Sequence, residues 1–255
     1  MKNPWEKIKD PNFYTKDDKR IIDEFNDKLK GKNESPFFID LNLMPEPYIG
    51  DPKANVILLF TNPGLKGTEL KEYKAVKGFS DAIKKNLTHK NESYSYYYFN
   101  PEFKMKIDGE EKYIAGAEWI RRRTKELIES FDDKILAEKI FTIQLHPYHS
   151  ARFKPLDEPL SVSRYTMYLF SKAVTKAKKG KAVIVCIRSY SEWNKAFQSL
   201  PGNTSESDLA KELGENFIML KTTKDGKEST PRTPYFKSNY FRKGDFEKFI
   251  KMLDK

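Results

Sequence analysis

The sequence predicts an α/β fold: one three-layer domain in which helices cover both faces of a central, mostly parallel, four-stranded sheet. The main observation is that short apolar runs of strand length alternate four times with amphipathic helical segments. The chain has 255 residues, which is long enough to bury a core without a metal or a disulfide. No repeat or low-complexity linker divides it. We therefore expect a single domain over residues 1–255, with residues 1–40 as an N-terminal helical extension.

The first half of the chain contains two predicted helices and two predicted strands. Residues 17–31 carry apolar positions at helical spacing and end in glycine, which predicts a helix. The continuous apolar run at 56–60 is typical of a buried parallel strand. Residues 115–130 predict one amphipathic helix, and residues 139–145 predict the second strand.

The second half continues the alternation. Residues 161–178 predict a helix that ends before a glycine, and residues 182–187 predict the third strand. A short helix is expected around Trp193. Residues 217–220 predict the fourth strand, and residues 244–253 predict a closing helix.

Composition limits the classes of function. Lys and Arg number 47 against 37 Asp and Glu, a net charge of +10, which favours an anionic partner such as nucleic acid; biased genome composition is the alternative explanation. Cys186 is the only cysteine, which excludes a disulfide framework and favours a reduced, cytoplasmic location. No apolar run approaches the roughly 20 residues of a membrane span, and the N-terminus is not of the signal-peptide type. We expect a monomer without membrane attachment.

The segments that follow the strands are the candidate sites, because ligands of such sheets bind outside the carboxyl ends of the strands. Thr61-Asn62-Pro63-Gly64 follows the first strand. An Asn there can donate to and accept from a water or a ligand, and Gly64 leaves space beside it. An ordinary Asn-Pro-Gly turn is the structural alternative.

The segment after the second strand holds two of the three histidines, His146 and His149. No third His and no Cys lies nearby, which disfavours a metal site. His149 and Ser150 are candidates for acid–base or anion-binding chemistry, including a Ser–His hydrolase, although the G-x-S-x-G motif is absent. A loop whose histidines cap backbone groups is the alternative.

The last two strands are also followed by polar segments. Arg188-Ser189 follows the third strand, where an arginine contacts phosphate or forms a structural ion pair. Residues 229–239 form a proline-rich segment of hydroxyl, amide and aromatic side chains, which suits a phosphate or a flipped base; a solvated surface loop is the alternative.

The aromatic run 94–99 is expected mainly in the core, and Arg121 to Arg123 on a solvated helix face. Glycine-rich phosphate loops are absent.

Together these segments resemble the uracil-DNA glycosylase superfamily. The run Phe60-Thr61-Asn62-Pro63-Gly64 is similar to its first motif in the Asn-Pro-Gly form, and residues 50–55 resemble the usual approach to that strand. A divergent bacterial branch of this superfamily is resembled by three further segments, PYHS, AVIVCIRS and TPRTPYFKSN. The likeness therefore covers about residues 40–253. It departs from the family at the last loop, where 230–232 replaces His-Pro-Ser, and at Gln144, where an Asn is usual.

The resemblance implies a four-stranded parallel sheet and a monofunctional DNA glycosylase that needs no cofactor and no metal. Such an enzyme hydrolyses the N-glycosidic bond of a flipped uracil-like or 5-modified pyrimidine and leaves an abasic site. Gly64 stands where the uracil-specific branch has a Tyr, so a bulkier base of bacteriophage DNA and a role in antiviral defence are expected. The alternatives are a catalytically inactive nucleic-acid-binding protein on the same scaffold, and a small-molecule hydrolase that uses His149 and Ser150.

The resemblance also implies three groups of site residues. The expected catalytic residues are Asn62, His149 and Arg232. The expected base-binding residues are Thr61, Pro63, Gly64, Gln144, His146 and Tyr148. The expected DNA-binding residues are Ser150, Arg152, Arg188, Ser189, Thr233, Lys237, Ser238 and Asn239. If DNA is the partner, basic residues should ring the carboxyl-end face of the sheet.

Overall fold

The computed structural model describes residues 1–8, 12–91, 93–220, 236–237 and 240–255. The strands in this part of the chain are β1 Tyr48–Gly50, β2 Val56–Phe60, β3 Lys104–Ile107, β4 Glu110–Tyr113, β5 Ile140–Gln144, β6 Val183–Cys186 and β7 Phe217–Met219. The α-helices are α1 Lys16–Leu29, α2 Glu69–Ala75, α3 Phe79–Leu87, α4 Ala115–Arg123, α5 Lys125–Ile128, α6 Asp133–Lys139, α7 Ser163–Lys178, α8 Tyr190–Gln198, α9 Leu209–Leu213 and α10 Asp245–Leu253.

The central sheet has the strand order β1-β5-β2-β6-β7. The four predicted strands β2, β5, β6 and β7 are present and run parallel, which confirms the α/β class. Every residue of β2, β5 and β6 is buried, as expected for strands covered on both faces. The prediction of four strands was wrong, because β1 adds a fifth at the edge, antiparallel to β5. The β3–β4 hairpin forms a separate two-stranded sheet.

The outer edge of β1 is closed by one amide side chain. Asn86 of α3 accepts a hydrogen bond from the Gly50 N–H at 3.0 Å and donates to the Tyr48 carbonyl at 2.7 Å. A side chain thus satisfies the backbone groups that an edge strand otherwise exposes. Gly50 has φ +103°, and a Cβ there would lie 2.5 Å from the Ile140 carbonyl oxygen, so this position requires glycine.

Helices cover both faces of the sheet. Tyr48 pairs with a β5 residue next to Thr142, and its ring meets Tyr165 of α7 with a centroid separation of 6.1 Å. Thr142 points to the opposite face, where its Oγ1 lies 2.9 Å from the Tyr96 hydroxyl. Phe60 lies on that second face and contacts Trp119 of α4, with centroids 5.6 Å apart. The predicted three-layer arrangement therefore holds, since alternate residues of one strand reach helices on opposite sides.

The predicted single helix over 115–130 is two helices. The break is at Thr124, which has φ −100° and ψ 20°. Its hydroxyl donates to the Ile120 carbonyl at 2.9 Å, a local side-chain bond of the kind that competes with helix continuation.

The N-terminal residues belong to the main core and are not appended to it. Trp5 is buried, and its ring lies edge-on to Tyr148 at 6.3 Å. Asn3 donates to the Leu87 carbonyl at 2.8 Å. The aromatic run is likewise mostly internal, with Tyr96 and its neighbours at 97 and 99 buried, which confirms the prediction that it packs in the core.

Candidate functional site at the carboxyl ends of the strands

The loops that follow β2 and β5 run side by side past the ends of their strands. The His146 N–H donates to the Thr61 carbonyl at 2.7 Å, and the Ser150 N–H donates to the Pro63 carbonyl at 3.3 Å. The parallel ladder therefore continues into the loops, and two of the sequence-predicted segments are direct neighbours.

Asn62 joins these two loops through its side chain. Its Nδ2 lies 2.9 Å from both the carbonyl oxygen and the Oγ of Ser150, and 2.8 Å from the Pro63 carbonyl oxygen. Its Oδ1 accepts a hydrogen bond from the Thr61 hydroxyl at 3.2 Å. An amide oxygen has two lone pairs, so the half-buried Asn62 can accept one further hydrogen bond at Oδ1, in a fixed orientation.

His149 is engaged by backbone groups. Its ring is 3% exposed, with Nδ1 2.7 Å from the Gly64 carbonyl oxygen and Nε2 3.0 Å from that of Met44. Neither nitrogen is open toward a leaving base, so the expected catalytic role of His149 is wrong in this arrangement. The alternative that this histidine caps loop carbonyls is confirmed.

Ser150 is also internal. It is 3% exposed, and its hydroxyl donates to the Arg152 carbonyl at 2.9 Å while it accepts from Asn62. No hydrogen bond joins it to the His149 ring, whose partners are the two carbonyls, so the Ser–His hydrolase interpretation lacks its nucleophile–base pair. Burial also overturns the expectation that Ser150 contacts a DNA phosphate.

Gln144 and His146 place neutral polar groups at the end of β5. Both are buried, with 5% and 8% exposure. The His146 Nε2 is buried without a hydrogen-bond partner among the described residues. Burial lowers the pKa of His146 to about 4, so its ring is uncharged near neutral pH. Unpaired, uncharged donors and acceptors of this kind suit a neutral ligand edge.

Tyr148 does not fit its expected base-binding role. It is 1% exposed, its hydroxyl donates to Asp18 Oδ2 at 3.2 Å, and its ring packs against Trp5. It is a core residue that ties α1 to the loop after β5. Gly64, in contrast, is exposed, and a Cβ there would meet no atom within 4 Å, so the expected open space beside this turn is present.

A stacked group at the end of β2 was missed by sequence reasoning. The Arg123 guanidinium lies 4.3 Å from the Trp119 ring centroid, and that ring contacts Phe60. The Phe236 N–H donates to the Arg123 carbonyl at 2.9 Å, so Phe236 lies at the end of the same helix. Trp119 carried only the signal of an apolar helix position, and nothing local indicates that it reaches the sheet.

Several expected residues cannot be placed in this site. Arg232, Thr233, Ser238 and Asn239 lie outside the described residues. Of the expected DNA-binding residues that are described, Arg152, Arg188 and Ser189 are exposed and Lys237 is half-buried.

Exposed lysines also occur away from the carboxyl-end face. Lysines 178, 179 and 181 are exposed just before β6, at the amino ends of the parallel strands. Other lysines are exposed on α1 and on the β3–β4 hairpin. The expected basic ring at the carboxyl-end face stays a prediction, because Lys221, Lys224, Lys227 and Arg232 lie outside the described residues. Among the described helices none has the length and apolar character to cross a membrane. The described part of the chain also contains no group of three or more His, Cys, Asp or Glu side chains placed to hold a metal ion.

Comparison of the chain with protein-family models, with curated proteins and with solved structures gave no match. The functional argument therefore depends on the geometry of the strand ends.

Proposed function

We propose that this chain is a monofunctional DNA glycosylase on a scaffold of the uracil-DNA glycosylase type, which removes a flipped uracil-like or 5-modified pyrimidine in defence against bacteriophage. The observation that carries the proposal is the Asn62 amide. Ser150 immobilises this amide at the carboxyl end of β2, and its Oδ1 keeps one open acceptor position. A group held in this way can orient a water molecule without having to be a strong base.

The neighbouring groups suit a pyrimidine. A pyrimidine edge is uncharged and presents donors and acceptors together, which an amide and a neutral imidazole can match. Gln144 and His146 provide these groups directly beside the Asn62 loop, and both are desolvated. Hydrogen bonds to a flipped base are strong in such an environment.

The reaction needs only a few groups. Cleavage of the N-glycosidic bond leaves positive charge on the sugar and negative charge on the departing base, and a water oxygen then bonds to the sugar carbon while its proton is lost to solvent. In the proposal Asn62 orients that water, and Gln144 and His146 hold the base. Arg232 remains the proposed stabiliser of the base anion.

The open space at Gly64 supports a substrate with a substituent at carbon 5. Since a Cβ there meets nothing within 4 Å, the turn leaves room beside the Asn62 loop. Gly64→Tyr should fill this room and abolish activity on 5-hydroxymethylated pyrimidines while plain uracil is still removed. Gly64→Ala, which adds a single methyl group, is the matched control. Equal activity of Gly64→Tyr on both substrates would contradict the assignment.

The central experiment is alkali-sensitive strand cleavage of oligonucleotides that each contain one uracil, 5-hydroxymethyluracil or glycosylated 5-hydroxymethylcytosine. Asn62→Ala should lower the rate of abasic-site formation by about 100-fold with DNA binding retained. Asn203→Ala is the control, because Asn203 lies beyond the far end of α8 and loses only its bond to the Phe197 carbonyl. Equal activity of Asn62→Ala and Asn203→Ala would refute the proposed site.

One observation favours a second candidate, a catalytically inactive nucleic-acid-binding protein. His149 is the expected acid–base group nearest to Asn62 in the described part of the chain, and both of its nitrogens are held by carbonyls. Salt-dependent DNA binding without strand breaks on any of the three substrates would establish this alternative.

A further inference from the structure

The ring of His146 is enclosed at the carboxyl end of β5, beside the Asn62 loop. The backbone N–H of His146 donates to the carbonyl of Thr61, the residue before Asn62, at 2.7 Å. Its ring meets the rings of Tyr148 and Phe153 in edge-to-face arrangements, with centroid separations of 6.2 and 6.5 Å. The residue is 8% exposed. The position of the ring is therefore set by the backbone on one side and by two aromatic side chains on others.

The two nitrogens of this ring have different surroundings. Nε2 is buried and has no hydrogen-bond partner among the described residues. Burial lowers the pKa of the ring to about 4, and a hydrogen bond to the backbone of Tyr148 acts in the opposite direction. A backbone group that favours the protonated ring is a carbonyl that accepts from a ring N–H. Since Nε2 lacks a partner, the nitrogen that donates to the Tyr148 carbonyl is Nδ1.

The tautomer of His146 follows from this contact. A neutral imidazole carries one N–H, and the hydrogen bond of one nitrogen decides the state of the other. With the N–H at Nδ1, Nε2 holds a lone pair and only accepts. A desolvated acceptor is costly to leave unpaired, so a ligand that brings an N–H to Nε2 is favoured and one that brings another lone pair is disfavoured.

We propose that His146 Nε2 selects bases that present an N–H donor on their Watson–Crick edge. This inference rests on the proposed function, because it specifies the substrate of the same site. Uracil-type bases offer the donor at N3 and cytosine-type bases offer it in the 4-amino group, so both satisfy the same acceptor. A pyrimidine whose edge carries acceptors only, such as 2-pyrimidinone, leaves Nε2 opposite a lone pair and is rejected.

The first test is the tautomer in the free protein, which requires no enzymatic activity. Long-range proton–nitrogen correlation spectra of the uniformly ¹⁵N-labelled full chain at pH 7 distinguish a ring nitrogen that bears a proton from one with a lone pair. The chain has three histidines, so His89→Asn and His146→Phe assign the signals. We expect a proton on Nδ1 of His146 and a lone pair on Nε2. A proton on Nε2 would overturn the inference, whatever the activity of the protein.

The second test compares abasic-site formation within two pairs of oligonucleotides, uracil against N3-methyluracil and cytosine against 2-pyrimidinone. Wild type should prefer the member with the donor by at least about 100-fold, and the pair in which this preference occurs identifies the donor as N3–H or as the amino group. His146→Phe keeps a ring but no nitrogen, so the preference should fall to near unity. His89→Phe is the matched control and should retain it. An unchanged preference in His146→Phe would refute the role of His146.

Failure of this inference is distinguishable from failure of the proposed function. Cleavage without preference within either pair would leave the glycosylase in place and refute the selectivity. If no oligonucleotide is cleaved, the glycosylase proposal fails, and the same pairs are compared by DNA affinity. A preference in affinity that His146→Phe loses would then support base recognition by His146, whereas equal affinities within both pairs would refute it.

Discussion

Acidification should destabilise the protein through His146. This ring is buried with its Nε2 unpartnered among the described residues, and burial lowers its pKa from the ordinary 6.5 to about 4. Between these two values the unfolded chain binds a proton that the folded chain does not. The unfolded state is therefore favoured as the pH falls, and the stability present above pH 6.5 is lost progressively down to about pH 4.

The size of the effect follows from the two pKa values. One pKa unit corresponds to about 1.4 kcal/mol, so the full loss is about 3 kcal/mol, of which about 2 kcal/mol falls between pH 7 and pH 4.5. This is a large fraction of the 5–15 kcal/mol that is typical of folded domains. His146→Asn removes the titrating ring and keeps a short amide, so the variant should lose this part of the pH dependence.

The assay is urea unfolding at several pH values, followed by tryptophan fluorescence and by far-ultraviolet circular dichroism, whose coincidence tests two-state behaviour. Other groups, including His89 with its burial-lowered pKa, also titrate in this range. The informative quantity is thus the wild-type slope minus the His146→Asn slope, with His89→Asn as the matched control. Identical slopes for wild type and His146→Asn would show that His146 is not held neutral by burial.

Three further predictions concern packing, each measured as the free energy of unfolding in urea. Gly116→Ala should destabilise by about 1–3 kcal/mol, because its Cβ would lie 2.3 Å from the Tyr98 ring, whereas Gly64→Ala should be neutral; equal effects would contradict the close contact. Asn86→Ala should cost about 2 kcal/mol through its two bonds to the edge of β1, and no loss would mean that water replaces them. Tyr148→Phe should cost about 1 kcal/mol and leave DNA affinity unchanged, whereas weaker DNA binding would restore its base-binding role.

The parallel strands were predictable because burial on both faces forces continuous apolar runs, as in 56–60. Strand β1 was not, since three residues beside prolines carry no periodicity. Its existence depends on pairing with β5 and on Asn86, more than 35 residues away in sequence. The break at Thr124 was missed for a different reason. The helical spacing of apolar residues continues through this position, and the sequence pattern does not reveal the hydrogen bond of the Thr124 hydroxyl to the Ile120 carbonyl.

Sequence reasoning found the right segments of the candidate site but not the direction of their side chains. The carboxyl ends of parallel strands lie at the same end of a sheet. The prediction that Asn62 and the loop of His149 are neighbours was therefore correct. Whether a loop residue faces a ligand or the core depends on distant partners. Tyr148 faces the core because Asp18, 130 residues earlier, accepts its hydroxyl hydrogen bond. No local pattern contains that information.

The net charge of +10 has less bearing on function than the positions of the arginines. Exposed lysines occur at both edges of the sheet, so their number says little about where an anion binds. Arginine is scarcer in this sequence, and Arg152, Arg188 and Arg242 lie at the strand ends or beside them, two of them in one cleft.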